Sequence, residues 1–324
     1  PIGIPVFGAI PDKYKMTMPN MGATSTPDFV ACPDAKTTGQ RCFKYVFSTM
    51  HQDRCRTLPL YLWLLGLKKK YGVDVPKTVG IAYGTYSPFN IRTAEGAKEM
   101  GEWLGFDIAM YEDYTAETID FTAMIETIRR EKVEVFIPCA TIADKTILMM
   151  KGLKDVNYQP KAQWDSVTIM YPAWYDPDLK INPNAWYVQT AYYGWPTWPF
   201  RGSATTGWID TNIIGYPYFH WIDMDNYVAA IQIFEDAVNA IGPDALGVGG
   251  DQKTFLDYVY AHSFLTNMGR IQFDPQTSYA IGQTVPLVQS LPPGTLEVTW
   301  PYELATAKDV YPKPAWTETD KYTK

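Results

Sequence analysis

Cys139 is the side chain best placed in this sequence to act as a nucleophile, because it ends a predicted strand, where α/β proteins hold groups that meet ligands. A catalytic thiol needs a neighbouring base to keep it ionised. The three histidines, His51, His220 and His262, are far apart in sequence, and none shares the two-His spacing of a metal site. Each reads as a structural residue. Cys32, Cys42, Cys55 and Cys139 include no Cys-x-x-Cys pair, which argues against zinc-knuckle and thioredoxin chemistry. Cys32 and Cys42 bracket a polar loop rich in Pro, Asp, Thr and Gly. One disulfide across it would imply an oxidising compartment; two reduced surface thiols are the alternative. There is no Gly-x-Ser-x-Gly elbow and no phosphate loop ending in Gly-Lys-Ser/Thr, and Gly247-Val-Gly-Gly250 follows no predicted strand. The carboxylates Glu112 and Asp113, and Asp223 and Asp225, read as solvated charge in polar loops.

Composition narrows the function from the other side. Among 324 residues, Lys+Arg 28 against Asp+Glu 35 give a net charge of −7, which disfavours nucleic acid, whose phosphates demand clustered cations. Leu58 to Leu67, the longest apolar stretch, carries Pro59 and Gly66 and falls short of the ~20 residues that cross a bilayer. Charged residues are 19% and aromatic residues 15%, with 11 Trp and 23 Tyr. That surplus fits either an aromatic binding surface or large cores with Pro-ordered loops.

The elements that would position such a surface are regular from residue 77 onward. Lys77 to Tyr83, Phe106 to Met110, Val133 to Ile137 and Ser166 to Met170 read as strands. Between them, Arg92 to Leu104, a helix capped by Asp120 and Ile142 to Leu153 read as helices, with Phe121, Met124, Ile125 and Ile128 on one face of the second. Strands recurring every ~30 residues with helices between predict a mostly parallel α/β sheet with right-handed crossovers. Tyr171 to Trp221 is an irregular belt of Pro, Gly and aromatics, interrupted by a strand at Ala185 to Thr190, and reads as a seam between two lobes. Helices are predicted at Asn226 to Ile241 and Gln252 to Phe264, and the Pro-rich tail shows no periodicity.

Several segments together resemble the type I periplasmic solute-binding proteins of ABC importers, the branched-chain amino acid-binding family. They are Asp12-Lys-Tyr-Lys-Met-Thr-Met-Pro-Asn-Met-Gly-Ala-Thr-Ser25, Tyr45-Val-Phe47, Asp120-Phe-Thr122, Gly269-Arg-Ile-Gln-Phe-Asp274 and Tyr311-Pro-Lys-Pro-Ala-Trp316. The resemblance implies two α/β lobes joined by three crossovers, near Phe47, Thr190 and Ser278, that close over a solute. Lobe one would be residues 1–47 and 191–278, and lobe two residues 48–190 and 279–324. Members begin with about three further βα units before the point matching Pro1, so an incomplete first lobe is expected.

What the resemblance implies for the site is a first-lobe loop, Ala23, Thr24 and Ser25, that holds a solute carboxylate through backbone N–H groups and a hydroxyl. The second-lobe wall would come from loops after strands: Tyr86 and Phe89, Cys139 with Ala140 and Thr141, and Tyr171 with Trp174. Amino acid binders place a carboxylate for the solute's ammonium in the last of these loops, where this sequence has Ala173 and Trp174. An unpaired buried ammonium costs several kcal/mol. The expected solute is therefore a small carboxylate, amide or aromatic acid rather than a standard amino acid, unless Asp144 or Asp176 substitutes. The partners implied are that solute and the membrane permease of an ABC importer, with no nucleic acid, no membrane insertion, no metal and no cofactor. The location would be periplasmic, or extracytoplasmic and lipid-anchored in a source without an outer membrane. A hydrolase using Cys139 and a sensory domain of the same fold are the alternatives.

Overall fold

The computed structural model describes residues 12–20, 45–49, 53–165, 188–190, 222–246, 252–275, 278–281, 286–291 and 295–316. In chain order the elements are β1 (Met18–Asn20), β2 (Val46–Ser48), α1 (Leu58–Tyr71), β3 (Thr78–Gly84), α2 (Pro88–Trp103), β4 (Asp107–Tyr114), α3 (Thr122–Arg130), β5 (Val135–Cys139) and α4 (Ala143–Asp155). There follow β6 (Ala162–Asp165), β7 (Val188–Thr190), α5 (Ile222–Ile241), α6 (Lys253–Ala261), β8 (Ser263–Thr266), β9 (Gly269–Phe273), β10 (Ala280–Ile281), β11 (Leu287–Leu291) and β12 (Thr295–Trp300). The chain divides into two compact units, Pro1–Asp53 with Tyr192–Thr284, and Arg54–Ala191 with Val285–Lys324.

In the first unit β1 pairs parallel with β2, and β8, β9 and β10 form an antiparallel sheet in the order β10-β9-β8. Phe47, fully buried, meets Phe273 edge-on at 4.9 Å between ring centroids, and Phe234 of α5 stacks on Phe255 of α6 at 4.6 Å. Such aromatic pairs add about 0.5–1.5 kcal/mol beyond their burial. The predicted helix at Gln252 to Phe264 is shorter than expected. It ends at Ala261, and Ser263 opens the β8–β9 hairpin, whose alternating buried and exposed residues fit a one-sided sheet.

The second unit holds a seven-stranded sheet in the order β12-β11-β7-β6-β5-β3-β4. The five strands from β4 to β7 are parallel, and β11 is antiparallel to both β7 and β12. β5, Val-Phe-Ile-Pro-Cys, is buried at every residue, as a continuous apolar run must be when helices cover both faces. β4 lies at the edge, half-exposed, and runs on to Tyr114, so Glu112 and Asp113 belong to a strand rather than a loop.

α1 begins with Pro59 in its first turn, where the missing N–H costs nothing, and stops at Gly72, whose positive φ of 68° lets its N–H reach the Lys68 carbonyl at 3.0 Å. It buries Leu60, Tyr61, Trp63, Leu64 and Leu67 against Trp164, Val79 and Ile137. At ~25 cal/mol per Å², each large side chain so buried contributes roughly 2–3 kcal/mol. α2 starts at Pro88, a turn earlier than periodicity predicts, because the loop residue Ser87 is extended and Pro88 fits the first helical position. α1 packs with α2, and α3 with α4. The fourth predicted strand, Ser166 to Met170, and nearly all of the aromatic belt lie outside the described residues. The Pro-rich tail from Pro292, which shows no periodicity, supplies β12, and β11 just before it is a strand that periodicity does not predict.

Candidate functional site

The strand order creates the site. After β3 the chain crosses to one neighbour, β4, and then returns past β3 to the other, β5. Successive crossovers leave in opposite directions at that point, the kind of switch point outside whose strand ends open α/β sheets commonly bind ligands. Tyr83 of β3 is paired in register with Cys139 of β5, so the loops that follow them leave from neighbouring positions. Of the predicted site residues, Tyr86 and Phe89 lie beyond β3, and Cys139 and Thr141 at and beyond β5. Tyr86 and Thr141 are half-buried, Phe89 and Cys139 buried. Ala23, Thr24, Ser25, Tyr171 and Trp174 lie outside the described residues, as do Cys32, Cys42 and Asp176. Asp144 is exposed in the first turn of α4.

The loop after β3 is tied down by its own polar groups. Thr85 donates both its N–H, at 2.8 Å, and its hydroxyl, at 3.1 Å, to the Tyr114 carbonyl at the end of β4. Asn90, in the first turn of α2, donates its side-chain amide to the Gly84 carbonyl at 3.2 Å. Gly84 has a further role: a Cβ there would stand 2.2 Å from the Tyr86 ring, so only glycine lets that ring fold back over the strand end. Tyr86 lies 6.1 Å from the Tyr114 ring, and Tyr114 meets Phe121 edge-on at 5.2 Å. Burial, reinforced by Tyr86 beside it, pushes the Tyr114 phenol well above its usual range, so it stays a protonated donor.

Beneath Phe89 lies a residue that the sequence did not single out. Arg56 is fully buried just before α1, with its guanidinium carbon 4.1 Å from the Phe89 ring centroid. The segment carrying it is locked against α2 by Gly96, where a Cβ would sit 2.0 Å from the Arg54 carbonyl oxygen. Asp165, at the end of β6, is also fully buried and accepts a hydrogen bond from the Thr146 hydroxyl at 3.1 Å. Arg56 and Asp165 were missed because neither belongs to a recognisable spacing motif. The one available signal was a lone cation inside the otherwise uncharged stretch from Cys55 to Leu67.

Cys139 sits in the hydrophobic core with Val79, Ile81, Val135 and Ile137. Burial pushes its thiol well above the usual range, Asp165 pushes the same way, and Arg56 only partly opposes them. A fully buried, protonated thiol cannot serve as a nucleophile, which removes the hydrolase alternative. Among the described residues no group of three or more His, Cys, Asp or Glu could hold a metal ion, and no helix is long and apolar enough to cross a membrane.

A mostly parallel sheet with helices on its faces and a strand-order switch between β3 and β5 defines an α/β fold of the open, ligand-binding type. The chain belongs to the periplasmic binding protein family, whose sequence profile matches residues 18–285. Its members are solute-binding components of ABC transporters that bind small molecules and are not enzymes. No curated protein matches the sequence. Among solved structures, a putative branched-chain amino acid ABC transporter protein from Silicibacter pomeroyi is similar over 96% of this chain and 78% of its own, at 12% identity and a TM-score of 0.77. An ABC transporter solute-binding protein from R. palustris, in complex with 4-hydroxybenzoate, is similar over 98% of this chain and 78% of its own, at 16% identity and a TM-score of 0.64. A substrate-binding protein from Desulfitobacterium hafniense, in complex with Leu, is similar over 91% of this chain and 76% of its own, at 13% identity and a TM-score of 0.64.

Proposed function

We propose that this protein captures a small carboxylate or aromatic acid, rather than a standard amino acid, and delivers it to the permease of an ABC importer outside the cytoplasm. The observation that carries the reading is the aromatic group around the β3–β5 switch point: Phe89 with Tyr86, Tyr114 and Phe121. Rings offer a flat solute apolar contact at low entropic cost, and a tyrosine hydroxyl can donate to its acceptor oxygens. The 4-hydroxybenzoate held by the R. palustris neighbour is a solute of that chemistry. Ala173 and Trp174 stand where amino acid binders carry the ammonium's carboxylate, which supports the same choice. In this reading the two compact units are the lobes, Ala23, Thr24 and Ser25 anchor the solute carboxylate, and Thr141, Tyr171 and Trp174 complete the wall.

Mass spectrometry of solute released from the purified protein, followed by titration calorimetry, tests the proposal. The expected result is micromolar or tighter binding of 4-hydroxybenzoate, benzoate or 4-methylpentanoate, with weaker binding of leucine. Micromolar leucine binding with none of the acids bound would overturn it.

A further inference from the structure

We propose that the hollow between the end of α1 and the segment after β12 docks a short acidic segment of a partner protein, one that carries an apolar or aromatic side chain. The inference goes beyond the solute-site reading. α1 leads into β3, which places its last turn at the amino end of the sheet, whereas the β3–β5 switch point lies at the carboxyl ends.

The hollow lies wholly within the second unit and has a volume of about 620 Å³. Its floor is small and apolar: Gly66 of α1 with Ala305 and Ala307, beside the Tyr302 ring. Lysines form the rim, Lys69 and Lys70 from α1 and Lys308 from the tail. Lys70 is already engaged, since it bonds Asp309 at 2.7 Å and lies 3.6 Å from the Tyr302 ring centroid. Lys69 and Lys308 are exposed and have no anionic partner among the described residues. Neither Asp74 just after α1 nor Glu303 beside Tyr302 lines the hollow.

Two features set this patch apart from an ordinary solvated helix end. Lysines in the last turn of a helix complement its dipole, which accounts for Lys69 by itself. Lys308 belongs to no helix and gains nothing from that dipole, yet it brings its charge to the same rim. Gly66 is the second feature. Glycine inside a helix costs stability against alanine, and a Cβ at Gly66 would meet nothing within 4 Å, so packing does not demand it. Its missing side chain keeps the floor open. Leu62, exposed one turn earlier on α1, extends the apolar surface along the same face.

An apolar floor alone would hold any exposed hydrophobic group. Two unpaired cations at its rim select one flanked by carboxylates, and they reverse the sign locally on a molecule of net charge −7. A bilayer surface is flat on this scale and leaves a concave floor unfilled, so a protruding side chain on an acidic segment is the better occupant.

Titration calorimetry with the capped peptide Asp-Glu-Trp-Glu-Asp as probe tests the proposal, on wild type, on Gly66→Leu and on the double variant Lys69→Gln, Lys308→Gln. Lys70 is left in place because it holds Asp309. Circular dichroism and thermal melting check the folding of each variant, and Gly66→Leu should melt no lower than wild type because leucine is the better helix former. The wild type is expected to bind at about 100 µM or tighter in low salt, and about tenfold more weakly at about 200 mM salt. A peptide with serine in place of tryptophan should bind about fivefold or more weakly. Gly66→Leu should weaken the peptide about tenfold by filling the floor, and the double variant about tenfold with most of the salt dependence gone. Should Gly66→Leu fail to fold, the double variant decides alone, and unchanged affinity there overturns the proposal. No wild-type binding at about 1 mM peptide, or equal binding of the serine peptide, also overturns it. Where the peptide does not bind, co-sedimentation with phosphatidylglycerol vesicles or dimerisation that the double variant abolishes would assign the hollow to a lipid surface or to a second copy, and would overturn it too. None of these outcomes bears on solute binding, so the proposed function stands or falls separately.

Discussion

Asp309 shows what a single buried charge requires to be stable in this molecule. Its carboxylate is fully buried and accepts hydrogen bonds from Trp63 Nε1 at 2.8 Å, from Lys70 Nζ at 2.7 Å and from the Tyr71 hydroxyl. Burial pushes the carboxyl up, but the bonds from Lys70, Tyr71 and Trp63 outweigh it and hold the group below its ordinary value. A carboxylate depressed in the folded state contributes stability that is complete above its unfolded pKa, near 3.9, and is lost as pH falls through the lower folded value. Asp309→Asn removes the charge and leaves Lys70 without its anion, and is expected to cost about 3 kcal/mol near pH 7. Urea unfolding of wild type and variant from pH 7 to pH 3 should show that difference shrinking toward the acid end. A difference that stays constant with pH would mean that the carboxylate's ionisation is not what stabilises this corner.

At the scale of the element, the contact between α2 and the segment before α1 is the most demanding. Gly96→Ala places a methyl group 2.0 Å from the Arg54 carbonyl oxygen, an approach that backbone must relieve by moving. Overpacking of that kind costs about 1–3 kcal/mol, and the shift carries Arg56 and Phe89 with it. Chemical denaturation should report the loss of stability, and solute affinity should fall together with it. Unchanged affinity in a destabilised Gly96→Ala protein would show that the contact supports the fold but not the site.

Elements of this kind were legible in the sequence to different degrees. The α3 face of Phe121, Met124, Ile125 and Ile128 is buried as its spacing implies, and Asp120 accepts the Thr122 N–H at 2.9 Å. These are local properties of a surface helix and need no partner to be read. β11 was not legible, because its place in the sheet is settled by β7, about 100 residues earlier in the chain, and β12 joins the sheet only through β11. Tyr86, Phe89 and Thr141 could be picked out as following strands. Arg56 could not, because its meaning depends on Gly96 in another helix, and no periodicity records a close approach between elements.

The whole molecule is acidic, with a net charge of −7, and its second unit is assembled from both sides of a long excursion into the first. The mixed edge of the seven-stranded sheet is the place where this matters. Leu287 of β11 is fully buried in the core around α1, and Val288 is equally sheltered, so the edge hairpin belongs to the core and is no appendage. A chain ending at residue 286 is expected to lose cooperative unfolding and to self-associate, because it leaves the β7 edge open and exposes part of that core. Light scattering and thermal melting of the truncated chain would check this; a monomer that melts as sharply as the full chain would contradict it.

The same pairing sets a clock on how the protein is made. β7 ends at Thr190 and its antiparallel partner β11 begins at Leu287, so about 100 residues are synthesised between the two strands. At ~5–20 residues per second, that interval lasts about 5–20 s. Closing a loop of that length also costs entropy before the hairpin returns any contact energy, which makes this pairing slow as well as late. During the wait, a nearly complete parallel sheet carries an open strand edge that any other nascent copy could pair with. The vulnerable species in this protein's life is thus the chain in which β7 has been made and β11 has not, and a factor that shields strand edges would act on it then.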